Sequence, residues 1–274
     1  MIEFLIRLVR TPQGLMGGLI VLLILLGVVF GNMLVPYGPD DMQALARYKG
    51  PSMAHWLGTD QYGRDILSRL LNGARSTVVM ALLATFIGTL GGAILGTGSA
   101  YLGGRADEFI MRTVDAVMAI PSLLLALLVV SLLGSNSANA LLAISIAFMP
   151  SMARISRSVA LTVRKQDYVS AAIARGEGAG YIVWREMLPN VIAPIVVEMT
   201  IRVSFAVMLF ATLSFLGLGA QPPATDWGLM VSEARQYLHR SYWILLWPSA
   251  AIALTAIGFN LLGDGLRDAL NPRT

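Results

Sequence analysis

Cysteine is absent from this 274-residue chain, and histidine occurs only twice. The first absence excludes disulfides, thiol nucleophiles and thiolate-held metals. The second excludes a histidine-based metal centre, because His55 and His239 stand far apart with no ligand spacing. Charge is scarce as well. Asp, Glu, Lys and Arg make up 13% of the residues, against about 25% in a soluble domain. Lysine is confined to Lys49 and Lys165, and neither follows the glycine-spaced run of a phosphate-binding loop. There is no G-x-S-x-G and no H-E-x-x-H. Asp60 and Asp65 carry Arg64 between them, which suits structural pairing better than acid–base work. No catalytic residue, metal site or bound cofactor is expected of this chain.

What fills the sequence instead is apolar. Hydrophobic residues make up 56%, the mean hydropathy is +0.69, and charge-free runs reach the roughly 20 residues that cross a bilayer as a helix. The composition predicts an all-α integral membrane protein with six transmembrane helices, near 15–36, 77–101, 111–133, 140–158, 191–218 and 243–262. The first run is too long for a signal peptide core and lacks a small-residue cleavage site, so it reads as an uncleaved span. Residues 37–75 form a turn-rich external segment. Within it, 66–75 is amphipathic and fits either an interfacial helix or a surface loop with a short helix. Residues 105–115 read as a short polar turn. Pro121 and Pro150 are candidate kinks.

Gly88, Gly92 and Gly96 recur every fourth residue and would lie on one helix face, where small residues permit close helix approach in lipid. The net charge of +4 fits lipid headgroups and orientation rather than nucleic acid. More of the arginine and lysine falls on the N-terminal side of the membrane, which predicts both termini and the 153–190 interval in the cytoplasm.

That interval is the most structured polar stretch. It holds Ser170-Ala171-Ala172, then Arg175, Gly176, Glu177 and Gly180, then Leu188-Pro189. Small residues give a helix a shallow face that a partner can approach. The glycines make a permissive turn, 181–187 could form a short helix, and Pro189 would punctuate it before the next span. A docking element fits this pattern, and so does a solvated interhelical loop. In the following span Glu198 and Arg202 form an i,i+4 pair in the favourable order, roughly 16 Å into the membrane by helical rise. They either neutralise each other within the bundle or also face a conduit.

The stretch Ser170-Ala171-Ala172…Gly176…Leu188-Pro189 resembles the EAA motif of ATP-binding-cassette importer permeases, the loop that docks into the ATPase subunit. Four further blocks sharpen the resemblance: His55 to Asp60 with Gly63 to Arg69; Tyr101 to Gly104 with Asp107, Arg112, Asp115 and Pro121-Ser122; Phe215 to Pro223 with Trp227-Gly228; and Phe259 to Asp268. Together they resemble the second, C-type permease of the dipeptide, oligopeptide and nickel importers. The resemblance implies an N-terminal segment, 1–76, joined to a five-helix type I core, 77–265, with a coupling loop at 159–190 and a cytoplasmic tail at 266–274.

It also implies partners. These are a second homologous permease in a heterodimer, one or two ATPases that bind ATP and Mg and seat on residues 170–189, and an external solute-binding protein. The setting is the bacterial cytoplasmic membrane. Short peptides are the expected cargo, with nickel chelates, glutathione and opines as alternatives. The family usually carries glutamate where this chain has Ser170, so that residue's polar contact is either absent here or supplied by Glu177 or Arg175. The competing class is an ion-coupled secondary transporter working through Glu198, Arg202 and Asp264. It predicts an internal repeat, and the halves show none.

Overall fold

The computed structural model describes residues 7–270, and these are helical apart from connecting loops and one isolated bridge between Thr59 and Asp65. Residues 1–6 and 271–274 of the expected terminal tails lie outside the described residues. Five helices are long and apolar enough to cross a membrane, and a bent pair brings the number to six when it is counted as one span.

Helix α1 (Pro12–Leu34) starts with Pro12 in its first turn, and the Thr11 hydroxyl accepts the Gly14 amide. It is charge-free and mostly exposed, as a lipid-facing helix must be. Helix α2 (Ile66–Leu102) has 37 residues, about 55 Å by helical rise against a hydrocarbon layer of about 30 Å. It begins at Ile66 rather than at the expected 77. The Asp65 carboxylate accepts the Ser68 amide at 2.8 Å and caps the helix there. The 66–75 segment is therefore neither an interfacial helix nor a loop but the head of a span. Its Ile66 is buried with Ala234 and Ile244, and its arginine Arg69 is neutralised from outside the helix, as described below.

The expected third span is broken. Helices α3 (Gly104–Met118) and α4 (Ser122–Leu133) meet at 89°. Pro121 sits at the joint with ψ 133°, outside the helical region, and disfavours helical backbone in Ile120 before it. The polar residues 105–115 belong to the first arm, an amphipathic helix rather than a turn. Helix α5 (Ser137–Val163) is capped by the Asn136 side chain on the Asn139 amide and passes through Pro150 unbroken. Helix α6 (Asp167–Ala174) is short; α7 (Ala179–Phe215) and α9 (Trp243–Leu270) are long; and α8 (Trp227–Ala234) is a second short helix. Helix α9 runs through 266–270, where a tail was expected.

The glycine ladder of α2 faces α5. A Cβ added to Gly88 would lie 2.8 Å from the Ser145 carbonyl oxygen, on Gly92 2.6 Å from that of Met149, and on Gly96 2.1 Å from that of Ala153. Overpacking costs about 1–3 kcal/mol where side chains can yield; here the obstacle is backbone. Gly96→Leu should force α2 and α5 apart and leave little intact chain in the membrane, measured by immunoblot of washed membranes. Normal levels with normal transport would show that the contact is dispensable.

Helix α8 is pinned to α2. Asp226 caps α8 by accepting the Leu229 amide, and accepts the Thr77 hydroxyl at 2.6 Å. Thr77 in turn accepts the Trp227 amide, and the Trp227 indole donates to the Leu70 carbonyl at 2.8 Å. Burial pushes the Asp226 carboxyl above the usual carboxylate range, against the hydrogen bonds from Thr77 and Leu229. Asp226→Asn, neutral and still able to cap, should therefore be tolerated. Asp226→Ala should lower stability by about 1–3 kcal/mol, read as a drop in the melting temperature of the solubilised protein. Equal drops for both would show that the negative charge itself matters.

Candidate functional site

The polar interval read as a docking element folds as a helical hairpin. Helix α6 ends in a left-handed glycine cap. Gly176 has φ +79°, its amide donates to the Ile173 carbonyl at 2.9 Å, and the Glu177 amide reaches back to Ala172 at 3.2 Å. This paired arrangement closes the helix and requires glycine for the positive φ. The chain then re-enters helix at Ala179. It does not form a separate short helix ended by Pro189. Residues Ile182–Met187 take a π-helical turn that runs straight into α7. Pro189 has no amide to give the Arg185 carbonyl, and the widened turn absorbs that loss. The Asn190 side chain donates to the neighbouring Glu186 carbonyl at 2.7 Å.

The two arms close on a buried cluster of Val169, Ala172, Ile182, Met187, Leu188 and Val191, with Met152 and Ala160 of α5. Ala172 and Leu188, read from the sequence as docking residues, thus face inward and cannot touch a partner. Ser170, Ala171, Arg175, Gly176, Gly180 and Pro189 are exposed, and Glu177 is half-buried. Arg175 bridges the arms loosely, 3.7 Å from Glu177 and 3.7 Å from Glu186. The outer surface also carries Tyr168, Ile173, Tyr181 and Trp184, with Trp184 55% exposed. Sequence spacing did not single out these four. The signal for them is that they alternate at helical intervals with the buried set.

The second feature lies within the membrane. Arg202 donates toward Glu198 at 3.3 Å, and both line a cavity of about 580 Å³. Its other walls come from the α3–α4 bend at Met118, Pro121 and Leu123, from Phe148 and Ser151 of α5, and from Phe205 and Met208 of α7. The pair therefore does face a cavity while neutralising itself in part. The Arg202 guanidinium lies 5.7 Å over the Phe148 ring, and its Nε is shielded from solvent without a hydrogen-bond partner.

Helical spacing does not reveal that Glu198 has a second cation. Arg267 of α9 stands 3.9 Å from its other carboxylate oxygen. Gly263 makes this contact reachable, because a Cβ there would lie 2.4 Å from Ile201. The close approach of α9 to α7 sets Arg267, one turn on, beside Glu198. A smaller cavity of about 390 Å³ lies below, lined by Ile155, Ala193, Pro194, Val197, Glu198 and Arg267. Among the described residues no group of three or more His, Asp or Glu could hold a metal ion.

Residues 88–274 match the sequence model of the family described as binding-protein-dependent transport system inner membrane component. The chain belongs to that family. Residues 1–51 of this permease also match the N-terminal transmembrane domain of oligopeptide transport permease C. It is 40% identical to the probable D,D-dipeptide transport system permease protein of Escherichia coli strain K12, over 96% of this chain and 88% of that protein. It is 40% identical to the glutathione transport system permease protein of Pectobacterium atrosepticum, over 99% of this chain and 90% of that one. The di/tripeptide transport system permease protein of Pseudomonas aeruginosa is 38% identical, over 95% and 88%. The protein is thus a multi-pass permease subunit of a transport system, with the all-α type I architecture that the resemblance implied.

Proposed function

We propose that this permease pairs with a second, homologous one to enclose a path for short peptides across the bacterial cytoplasmic membrane, with both termini inside. One or two cytoplasmic ATPases hold ATP and Mg, and an external solute-binding protein delivers cargo. This chain contributes no cofactor and no catalytic residue. The observation that carries the reading is the exposed face of the 167–186 hairpin, with Tyr168, Ile173 and Trp184 presented outward from a packed inner face. An exposed apolar patch on a polar segment marks an interaction surface. The hairpin is also a workable lever. Its inner face is packed against α5, and its second arm is the same helix that carries Glu198, roughly 27 Å along by helical rise.

A motion imposed at the hairpin therefore reaches the charged cavity through a continuous helix, the rigid-body rocking by which alternating access generally works. The peptide assignment rests on the relatives, whose names include dipeptide, di/tripeptide and glutathione systems. The test is affinity purification of the tagged chain from native membranes followed by mass spectrometry. A second permease, P-loop ATPases and a solute-binding protein are expected with it. Recovery of the chain alone, active in vesicles without ATP, would replace this reading with ion-coupled transport through Glu198 and Arg202.

A further inference from the structure

Glu198 borders both cavities and stands between two cations. One carboxylate faces two guanidiniums, Arg202 at 3.3 Å from above and Arg267 at 3.9 Å from below. The upper cavity presents Arg202 among Leu123, Phe205, Met208 and other largely apolar walls, and its Nε has no partner. We propose that Arg202 binds the terminal carboxylate of the transported peptide, and that this contact hands Glu198 over to Arg267 and opens the wall between the two cavities. The inference rests on the peptide-importer reading above and adds to it a recognition residue and a gate.

Three points carry it. First, a guanidinium offers planar paired donors that match a carboxylate in bidentate fashion. Arg202 lines the upper cavity and meets Glu198 through one terminal nitrogen, while its shielded Nε has no partner. Second, a carboxylate displaced inside a membrane bundle is costly unless another cation takes it. Arg267 is already within ion-pair reach and, with its side chain 62% exposed, has room to follow. Third, the incoming solute brings a carboxylate to Arg202 as Glu198 leaves it, so each of the two arginines ends opposite a carboxylate. Glu198, the residue shared by the two cavity walls, then moves toward the lower one.

The experiment uses the complete transporter in proteoliposomes with its binding protein, and compares uptake of dialanine with uptake of dialanine amide. R202Q should lower dialanine uptake about 10- to 100-fold, the worth of a charge-assisted hydrogen bond, and leave amide uptake little changed. Each ratio compares one peptide in two permeases, so the selectivity of the binding protein cancels. R267Q should slow dialanine uptake and be rescued by E198Q, which no longer needs a cation. If R202Q does not assemble, R202K serves, since it keeps the charge and loses the planar fork.

If the wild type takes up the acid alone, the chain's lack of cysteine offers a second readout. A193C in the lower cavity should react faster with an impermeant maleimide from the outer face when dialanine is present. R202Q should remove that acceleration. Equal losses for acid and amide, or labelling indifferent to dialanine, overturn the gate and leave the peptide reading intact. Failure of the wild type to take up any peptide overturns the peptide reading itself.

Discussion

Ala171→Arg should abolish transport without unfolding the chain, whereas Ala172→Arg should unfold the hairpin around residues 167–190. The two alanines are adjacent, and the sequence offers no reason to tell them apart. In the fold, Ala171 is exposed on the outer side of α6, and Ala172 is fully buried among Val169, Ile182, Met187 and Leu188. An arginine at 171 adds a long charged side chain to the surface proposed to receive the ATPase. Loss of a central contact there costs about 2 kcal/mol or more, roughly thirtyfold in affinity. An arginine at 172 would put an unpaired cation into an apolar cluster, a penalty of several kcal/mol, with no carboxylate in that cluster to meet it. The two variants separate on different instruments. ATPase co-purification should collapse for Ala171→Arg while its membrane level holds. For Ala172→Arg the level itself should fall, and what remains should be cut readily by protease within 167–190. Undisturbed co-purification and uptake in Ala171→Arg would remove the hairpin from the docking interface.

That pair of alanines also shows where the sequence stops being readable. Hydropathy located the crossings because a bilayer demands long apolar runs whatever the tertiary contacts are. The glycine ladder was visible because its period matches a helix face. The start of α2 was not visible, because Arg69 looks like a surface residue until a partner from a distant segment appears. Arg69 is in fact 3% exposed and meets Glu233, far along the chain. Pro121 announced a break between α3 and α4, but not an 89° one that folds the α3–α4 joint into a cavity wall. Pro189 looked like a terminator, and a π turn carries the helix through it. Small residues at 171, 172 and 174 cannot declare which way they face, since alanine suits either a packed or an exposed position. Finally, the i,i+4 rule paired Glu198 with Arg202 correctly and said nothing of Arg267. That contact depends on a glycine in α9 and the packing of two long helices.

Asp60→Ala should produce a large stability loss for a residue that lies outside the membrane spans. Asp60 is 1% exposed and accepts from Arg64 Nε at 2.6 Å and Arg69 Nη1 at 2.9 Å. Its other oxygen takes the amides of Tyr62 and Arg64 at 2.8 and 2.9 Å. Glu233 of α8 closes the group, 3.3 Å from Arg64 and 3.2 Å from Arg69. Two carboxylates thus balance two largely buried arginines and tie the loop before α2, the head of α2 and α8 into one cap. Removing Asp60 leaves two cations sharing one half-buried carboxylate and strands two loop amides. Breaking a buried ion pair in this way costs about 3–5 kcal/mol.

Adding Arg69→Met to Asp60→Ala should recover much of that loss, because Arg64 and Glu233 remain as a balanced pair and the methionine fills part of the vacated volume. The measurement is a double-mutant cycle on the melting temperature of the detergent-solubilised protein. A double variant less stable than Asp60→Ala by the full cost of Arg69→Met alone would show that the two residues act independently. If the coupling holds, the cap behaves as one rigid unit. The solute-binding protein proposed above would then press on a surface that transmits its position directly into α2, the helix whose glycine ladder packs along α5 toward the 167–186 hairpin.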